Sequence, residues 1–273
     1  MSIDYIRLAS LLPALKADIR YLQALEQGQP VPTVMVLGKS GQGGASLLNG
    51  LVGDVGCFSE GADVSGARVQ SETRNGVRWM MAADRIDRAA LEAGQAGADV
   101  LLLVHSFRAG MLDEAEVALA QTLSAAQQRT GRPCMLVLTR RSEAQNPALE
   151  ARLLEDVAAR LPGMPVMTLG SVGYMQAAGA PGVLLRAPGM DALAARLARM
   201  LEARALSAQR QHGRAVLRAA LVDALEALER QAGLRVKTLR ETRQARARAY
   251  AAEMDALEQK ILARFEEAGV FEP

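Results

Sequence analysis

The chain has 273 residues, which suits one medium domain with an appendage or two small domains. Hydrophobic residues make up 50% of it and aromatic residues only 3%, so we expect a sizeable core of aliphatic side chains. A net charge of +2 excludes bulk attraction to nucleic acid, and any such binding must rest on a local cluster of basic residues.

Membrane-directing segments are not expected from this sequence. Residues 1–7 include an acidic residue and lack the basic and apolar runs of a signal peptide, and no window holds 18 uninterrupted apolar residues. The two cysteines, Cys57 and Cys134, lie far apart without metal-like spacing. We therefore expect reduced thiols in a cytoplasmic protein, with peripheral membrane association as an alternative.

The first half of the chain shows helix and strand patterns in turn. Apolar residues at three- and four-residue steps predict one amphipathic helix over residues 3–27. The wholly apolar run 33–37 predicts a buried parallel strand, and a helix is expected over 45–52. Residues 53–73 are rich in Gly and Ser and are expected to form a loop that enters an edge strand.

Strands and helices continue to alternate up to residue 205. Strands are predicted over 78–81, 98–104, 134–138 and 166–169, and helices over 113–128, 147–161 and 191–205. This alternation predicts an α/β fold with a doubly wound, mostly parallel sheet.

From about residue 206 the composition changes to Ala, Arg, Glu and Leu, without strand signals. Two apolar helical stripes, over 217–228 and 239–265, flank Gly233, where we expect a break. Because neither helix would be stable alone in water, we expect a helical hairpin that packs against the N-terminal helix. The predicted domains are residues 1–28, 29–205 and 206–273.

The glycine-rich run between the first strand and the following helix has the shape of a phosphate loop. A Walker A motif needs Gly, four residues, Gly, Lys and then Ser or Thr. Counting from Gly38 places Gly43 at the second glycine, Gly44 at the lysine and Ala45 at the hydroxyl. The point charge for the phosphates and the Mg²⁺ ligand are therefore both missing, and Lys39 leaves the strand too early to replace the lysine.

The run Ser46-Leu47-Leu48-Asn49-Gly50-Leu51, together with the element order, resembles small bacterial GTPases of the Era and TrmE type. The resemblance covers roughly residues 32–205 and implies a P-loop G domain. Helices at both ends of that domain are also similar in arrangement to dynamin-like and immunity-related GTPases.

The other motifs that this resemblance implies are degenerate. Met81-Ala82-Ala83-Asp84 stands where the Mg²⁺-holding Asp-x-x-Gly is expected. Thr139, Arg140, Arg141 and Ser142 stand where the guanine-reading Asn-Lys-x-Asp is expected, and Ser142 cannot replace its carboxylate. Gly170-Ser171-Val172 is the only match to the last motif, and the switch I threonine lies near Gln70, Ser71 and Thr73 without a fixed register.

Three interpretations of the glycine loop stay open. It is a ligand-free turn, a weak or altered GTP/GDP site built from backbone N–H groups, or half of a dinucleotide fingerprint. The fingerprint also needs an acidic residue at the end of a second strand, and Glu60 and Asp63 lie in the Gly/Ser-rich loop instead. We assign no cofactor, metal or catalytic residue. The vestigial phosphate loop consists of Gly38, Gly41, Gly43, Gly44, Ala45 and Ser46, and the vestigial base-reading loop consists of Thr139, Arg140 and Ser142.

A second candidate region is basic. Residues 230–248 carry seven basic residues and one acidic residue, a net charge of +6. This run is a solvated helix face or a patch for acidic protein, lipid headgroups or RNA phosphates. The residues that would form such a patch are Arg235, Lys237, Arg240, Arg243, Arg246 and Arg248. The two histidines, His105 and His212, are expected to be structural or solvated.

These patterns favour a bacterial pseudo-GTPase, a G-domain scaffold that is deficient in nucleotide binding and acts through protein interaction. An intact GTPase of the same family is the partner we expect. The alternatives are a divergent hydrolase that uses Asp84 or Lys39 in shifted roles, and a peripheral membrane or RNA binder that uses the basic run.

Overall fold

The computed structural model describes residues 3–28, 31–54, 56–59, 69–82, 97–141, 147–170 and 189–267. The chain forms two compact units, Met1–Ala219 and Ala220–Pro273. The three-part division at residues 28 and 205 stays a prediction.

The N-terminal segment contains two helices in place of the single one predicted over residues 3–27. Helix α1 spans Tyr5–Leu11, a 3₁₀ turn spans Pro13–Leu15, and α2 spans Lys16–Gln27. Pro13 causes the interruption because it has no backbone N–H to continue the helical hydrogen bonds. Only α2 buries side chains, namely Ile19, Tyr21, Leu22 and Leu25.

Six strands form one sheet in the order β2-β3-β1-β4-β5-β6. They are β1 Thr33–Gly38, β2 Val69–Arg74, β3 Val77–Ala82, β4 Val100–Ser106, β5 Cys134–Arg141 and β6 Val166–Gly170. Among the described strands, only β2 and β3 pair antiparallel. The predicted α/β fold with a mostly parallel sheet is confirmed.

The edge hairpin β2–β3 is closed by Asn75 and Gly76. Their φ angles of 51° and 72° are both positive, as a two-residue type I′ turn requires. The Asn-Gly pair between two extended segments is a sequence signal for such a hairpin. Its second strand, and an edge strand near residue 73, were predicted from the sequence, but the hairpin itself was not.

Helices cover both faces of the sheet. Helices α3 (Gly44–Val52) and α6 (Met190–Met200) pack on one face against Val34, Val36 and Leu102. Helices α4 (Glu114–Thr130) and α5 (Pro147–Arg160) pack on the other against Met35, Leu37 and Leu103. Alternate residues of each strand therefore enter different cores, which explains why β1 and β4 are apolar throughout.

The amino edge of the sheet holds the start of the last helix, α7, which begins at Ala203. Asp99, fully buried beside β4, accepts two hydrogen bonds from Arg210, each 2.8 Å, and a third of 2.8 Å from the backbone N–H of Thr33. The hydrogen bonds that Arg210 donates to Asp99 raise the pKa of Arg210. Helix α2 is held to the same part of α7, since Arg214 donates to the Leu25 carbonyl and Arg218 pairs with Glu26.

The expected C-terminal hairpin was wrong. A single helix, α7, runs from Ala203 to Glu267, and Gly233 lies within it. One glycine costs a helix only about 1 kcal/mol, and the Ala, Leu, Arg and Gln residues around Gly233 are strong helix formers. Among the described residues, no helix combines the length and the apolarity needed to cross a bilayer.

Candidate functional site

The glycine loop lies at the carboxyl edge of the sheet, between β1 and α3. In the strand order, β1 stands between β3 and β4. After β1 the chain adds β2 and β3 on one side of it, and then adds β4, β5 and β6 on the other side. Open α/β sheets bind ligands at this edge, next to the strand where the order reverses. The position of the loop is therefore the expected position of a site in this fold.

The loop begins at Gly38 because no larger residue fits there. A Cβ atom at Gly38 would lie 2.7 Å from the carbonyl oxygen of Val104 in β4. Gly41 and Gly43 then adopt left-handed conformations, with φ of +77° and +92°. The amide of Gln42 donates to the Lys39 carbonyl at 3.3 Å, and α3 starts at Gly44. The three glycines thus form a tight turn into the helix.

Gln42 points into the protein from the middle of this turn. Its side chain is buried, and its Nε2 donates to Oε1 of Glu116 at 2.8 Å. Its backbone carbonyl accepts a hydrogen bond of 2.5 Å from the Thr139 hydroxyl in β5. Gln42 therefore ties the loop to both α4 and β5, across 74 and 97 residues of sequence.

His105, at the end of β4, completes a buried polar cluster with Gln42, Glu116 and Thr139. Its Nδ1 lies 3.0 Å from Oε1 of Glu116, and its Nε2 lies 2.9 Å from the Gly110 carbonyl oxygen. Burial acts to raise the pKa of Glu116, but hydrogen bonds from His105 and Gln42 outweigh it, so the pKa is lowered. The cluster thus favours an ionised carboxylate beneath the loop.

Lys39 is engaged outside the cluster. Its ammonium group contacts the carboxylate of Asp113, which is the N-cap of α4. Asp113 and Glu116 form a capping box: Oδ1 of Asp113 accepts from the Glu116 amide at 2.9 Å, and Oε2 of Glu116 accepts from the Asp113 amide at 3.0 Å. Lys39 and Asp113 therefore form an exposed ion pair beside the loop.

The residues predicted for the vestigial phosphate loop lie together. Gly38, Gly41 and Gly43 form the turn, and Gly44, Ala45 and Ser46 form the first turn of α3, where helical amides lack intrahelical partners. No group of three or more His, Cys, Asp or Glu side chains able to hold a metal occurs in the described ranges.

The predicted base-reading residues are placed differently from the expectation. Strand β5 extends to Arg141, so Thr139 and Arg140 lie within the strand and not in the loop after it. Thr139 is fully buried and donates to the Gln42 carbonyl. Ser142 and Asp84 lie outside the described residues.

Asn49, from the run that carried the family resemblance, has a local role. Its Nδ2 donates to the Phe58 carbonyl and its Oδ1 accepts from the Phe58 amide, both at 2.8 Å. In the same way, Nε2 of Gln70 in β2 donates to the Ser59 carbonyl at 2.9 Å, and its Oε1 accepts from the Ser59 amide at 3.2 Å. Together the two side chains fix residues 58–59 between α3 and β2.

Sequence reasoning missed the roles of Gln42 and Glu116 and treated His105 as an isolated residue. The pattern Asp113-x-x-Glu116 was a usable sign of a capping box. No local sign showed that Gln42 faces inward, because its partners come from distant segments.

The basic residues of 235–248 are all exposed on α7, but they do not share one face. At 100° per residue, Lys237 and Arg248 lie on the side opposite Arg246. Lys237 also lies 4.0 Å from Glu241 in an intrahelical ion pair. The predicted patch is therefore a basic section that surrounds the helix.

The fold and the glycine loop define a class, an α/β domain with a phosphate-loop-shaped turn at its carboxyl edge. No protein-family model matches the chain. An uncharacterized protein of Acinetobacter baylyi is 29% identical over 178 residues, which cover 62% of this chain. The chain spans 42% of the length of that relative.

Solved structures with a similar arrangement include GTP-binding proteins. A variant of Era from Aquifex aeolicus, bound to GDP and aluminium fluoride, is 16% identical, with a TM-score of 0.42 over 63% of this chain and 57% of that one. A probable GTP-binding protein EngB is 12% identical, with a TM-score of 0.41 over 62% of this chain and 98% of that one.

Proposed function

We propose that the chain is a G-domain-like scaffold that lacks Mg²⁺-dependent nucleotide binding and acts by binding another protein. The observation that carries this proposal is the state of the glycine loop. Gly44 and Ala45 stand at the positions of the Walker A lysine and hydroxyl, and the neighbouring cation, Lys39, is paired with Asp113. The loop keeps its turn and lacks the side chains that a triphosphate and its metal need.

The inward direction of Gln42 supports the same proposal. Its side chain and carbonyl are bound to Glu116 and Thr139, so protein groups hold the loop in this conformation. Thr139, which was considered for base recognition, is fully buried in this role.

Calorimetric titration with GTP, GDP and ATP, with and without Mg²⁺, tests the proposal. We expect no saturable binding in the micromolar range. Each charged hydrogen bond contributes about 1.5–3 kcal/mol, so the missing contacts remove at least tenfold each in affinity. Saturable, Mg²⁺-dependent micromolar binding would refute the proposal in favour of a divergent GTP-binding protein.

A gain-of-function variant provides the matched comparison. The double substitution Gly44→Lys, Ala45→Ser supplies both missing side chains. A Cβ at Gly44 meets Val36 and Met81 at ordinary contact distances of 3.5 and 3.6 Å, so the backbone position itself accepts a side chain. We expect this variant to bind triphosphate at least tenfold more tightly than the unaltered chain. Equal binding by both chains would contradict the two missing side chains as the reason for weak nucleotide binding.

The partner we propose is an intact GTPase of the same fold, paired with this chain as its inactive counterpart. Size-exclusion chromatography of the mixed proteins, with and without GTP, tests this. A shared peak larger than either protein supports the pair, and separate elution under both conditions excludes it.

A further inference from the structure

The section of α7 from residue 228 to 261 carries an apolar stripe that is exposed along its length. Its large members are Leu228, Val236, Leu239, Tyr250, Met254, Leu257 and Ile261, and Leu239 and Tyr250 are 69% and 65% exposed. Their spacings of 8, 3, 11, 4, 3 and 4 residues place all seven within a sector about 100° wide, at 100° per residue. Exposed apolar surface of this extent marks an interaction site.

The charges of α7 are divided into blocks. Residues 230–248 have a net charge of +6, whereas residues 249–267, with five acidic and two basic residues, have −3. The boundary between the blocks falls next to Tyr250. A helix with one basic and one acidic half is complementary to a copy of itself that runs in the opposite direction.

Two arginines interrupt the stripe at Arg243 and Arg246. Parallel pairing in register would place these arginines against each other. Antiparallel pairing about Tyr250 places Arg246 opposite Met254 and Arg243 opposite Leu257 of the other copy. There the aliphatic part of each arginine covers an apolar residue while its guanidinium reaches the edge of the interface.

The acidic residues that would meet these cations flank the stripe. At 100° per residue, Glu253 lies beside the stripe on the edge nearer Arg246, and Glu258 lies on the other edge with Arg240. Residues on the same edge of two antiparallel copies face each other. Antiparallel pairing about Tyr250 therefore brings Arg246 toward Glu253 of the second copy, and Arg240 toward its Glu258.

We propose that α7 binds a second copy of this chain as an antiparallel coiled coil centred on Tyr250. The overlap extends over residues 235–265, about 45 Å of helix. Burial of the stripe supplies the affinity, since exposed ion pairs contribute little each, and the charge blocks select the direction and the register. The interface is isologous, so it closes at two copies.

Sedimentation of the full chain over a range of concentrations tests the pairing. We expect a monomer–dimer equilibrium. Two charge-reversal variants, Arg240→Glu with Arg246→Glu and Glu253→Lys with Glu258→Lys, are each expected to weaken dimerisation at least tenfold. Mixed in equal amounts, they are expected to form heterodimers, because each substituted residue then faces a substituted residue of opposite charge and the unaltered pairs are kept on the other side. A monomer at every concentration, or variants that fail to recombine, would overturn the proposal.

A matched control lies in the same helix. Asp223→Lys with Glu229→Lys changes the same number of charges outside the proposed overlap and is expected to leave dimerisation unchanged. Circular dichroism verifies that all variants stay helical. Loss of the dimer in the control variant would show that the helices pair in another register.

Distances between spin labels measure the register directly. A label at residue 250 is expected within about 15 Å of its copy, whereas labels at residues 240 and 260 are expected about 30 Å from theirs, at 1.5 Å per residue. Short distances at all three positions would indicate parallel pairing and contradict the proposal. A chain that stays monomeric and binds anionic vesicles or RNA through residues 235–248 in low salt would also contradict the proposal.

Discussion

Gly38 ends β1 at a point where the backbone of β4 leaves no room for a side chain. We expect Gly38→Ala to destabilise the protein by about 1–3 kcal/mol, because its Cβ would lie 2.7 Å from the Val104 carbonyl oxygen. Urea denaturation measures the change. Gly56→Ala is the control, since nothing lies within 4 Å of a Cβ at Gly56. Equal effects at the two positions would contradict this steric reason.

Glu116 is expected to make stability depend on pH in the acid range. Its pKa is lowered from an ordinary value near 4.5, so its ionised form stabilises the folded chain. That contribution is complete above pH 4.5 and is lost as the pH falls through the lowered pKa. We expect Glu116→Gln to cost about 1–3 kcal/mol at pH 7 and progressively less below pH 4.5, as measured by chemical denaturation. A cost that grows on acidification would contradict the assigned direction.

At the scale of single residues, the sequence predicted the glycine turn but not the buried polar cluster that Gln42 forms with Glu116 and Thr139. Gly38, Gly41 and Gly43 are recognisable because their spacing and conformational freedom are local properties. The burial of Gln42 depends on Glu116 and Thr139, which are distant in sequence, so no local pattern reports it.

Helix α7 contains two glycines in different surroundings. A Cβ at Gly233 meets nothing within 4 Å, whereas a Cβ at Gly213 would lie 3.3 Å from the Thr130 carbonyl oxygen. We therefore expect Gly233→Ala to stabilise α7 by about 1 kcal/mol and Gly213→Ala to gain less or to destabilise. Thermal unfolding followed by circular dichroism compares the two. A larger gain at Gly213 would rule out this account.

Elements with strong periodicity were predicted within a few residues of their ends, as β1 and α4 illustrate. Departures arose where one local signal was given too much weight. Gly233 was expected to end a helix that its neighbours sustain, whereas Pro13, which does interrupt a helix, was passed over. Strand β5 continues past Leu138, where Thr139 pairs with Ser106 of β4 and its hydroxyl donates to the Gln42 carbonyl.

At the scale of the whole molecule, a buried ion pair joins the sheet to α7. Asp99 is fully buried, and Arg210 satisfies both of its carboxylate oxygens. We expect Arg210→Met to destabilise the fold by about 3–5 kcal/mol, because it leaves a buried carboxylate without its cation. Adding Asp99→Asn should recover part of that loss in the same denaturation measurement. A double variant as unstable as the single one would argue against charge burial as the cause.

The pair of Asp99 and Arg210 also bears on how the chain folds as it is synthesised. The two residues are 111 positions apart, so at 5–20 residues per second the carboxylate leaves the ribosome roughly 6–22 s before its guanidinium. During that interval, closure of the sheet end between β1 and β4 around Asp99 would bury a carboxylate without its cation, at a cost of about 3–5 kcal/mol. Docking of α7 is therefore a late step, and nascent chains that stop before Arg210 should be degraded by proteases faster than those that extend past it.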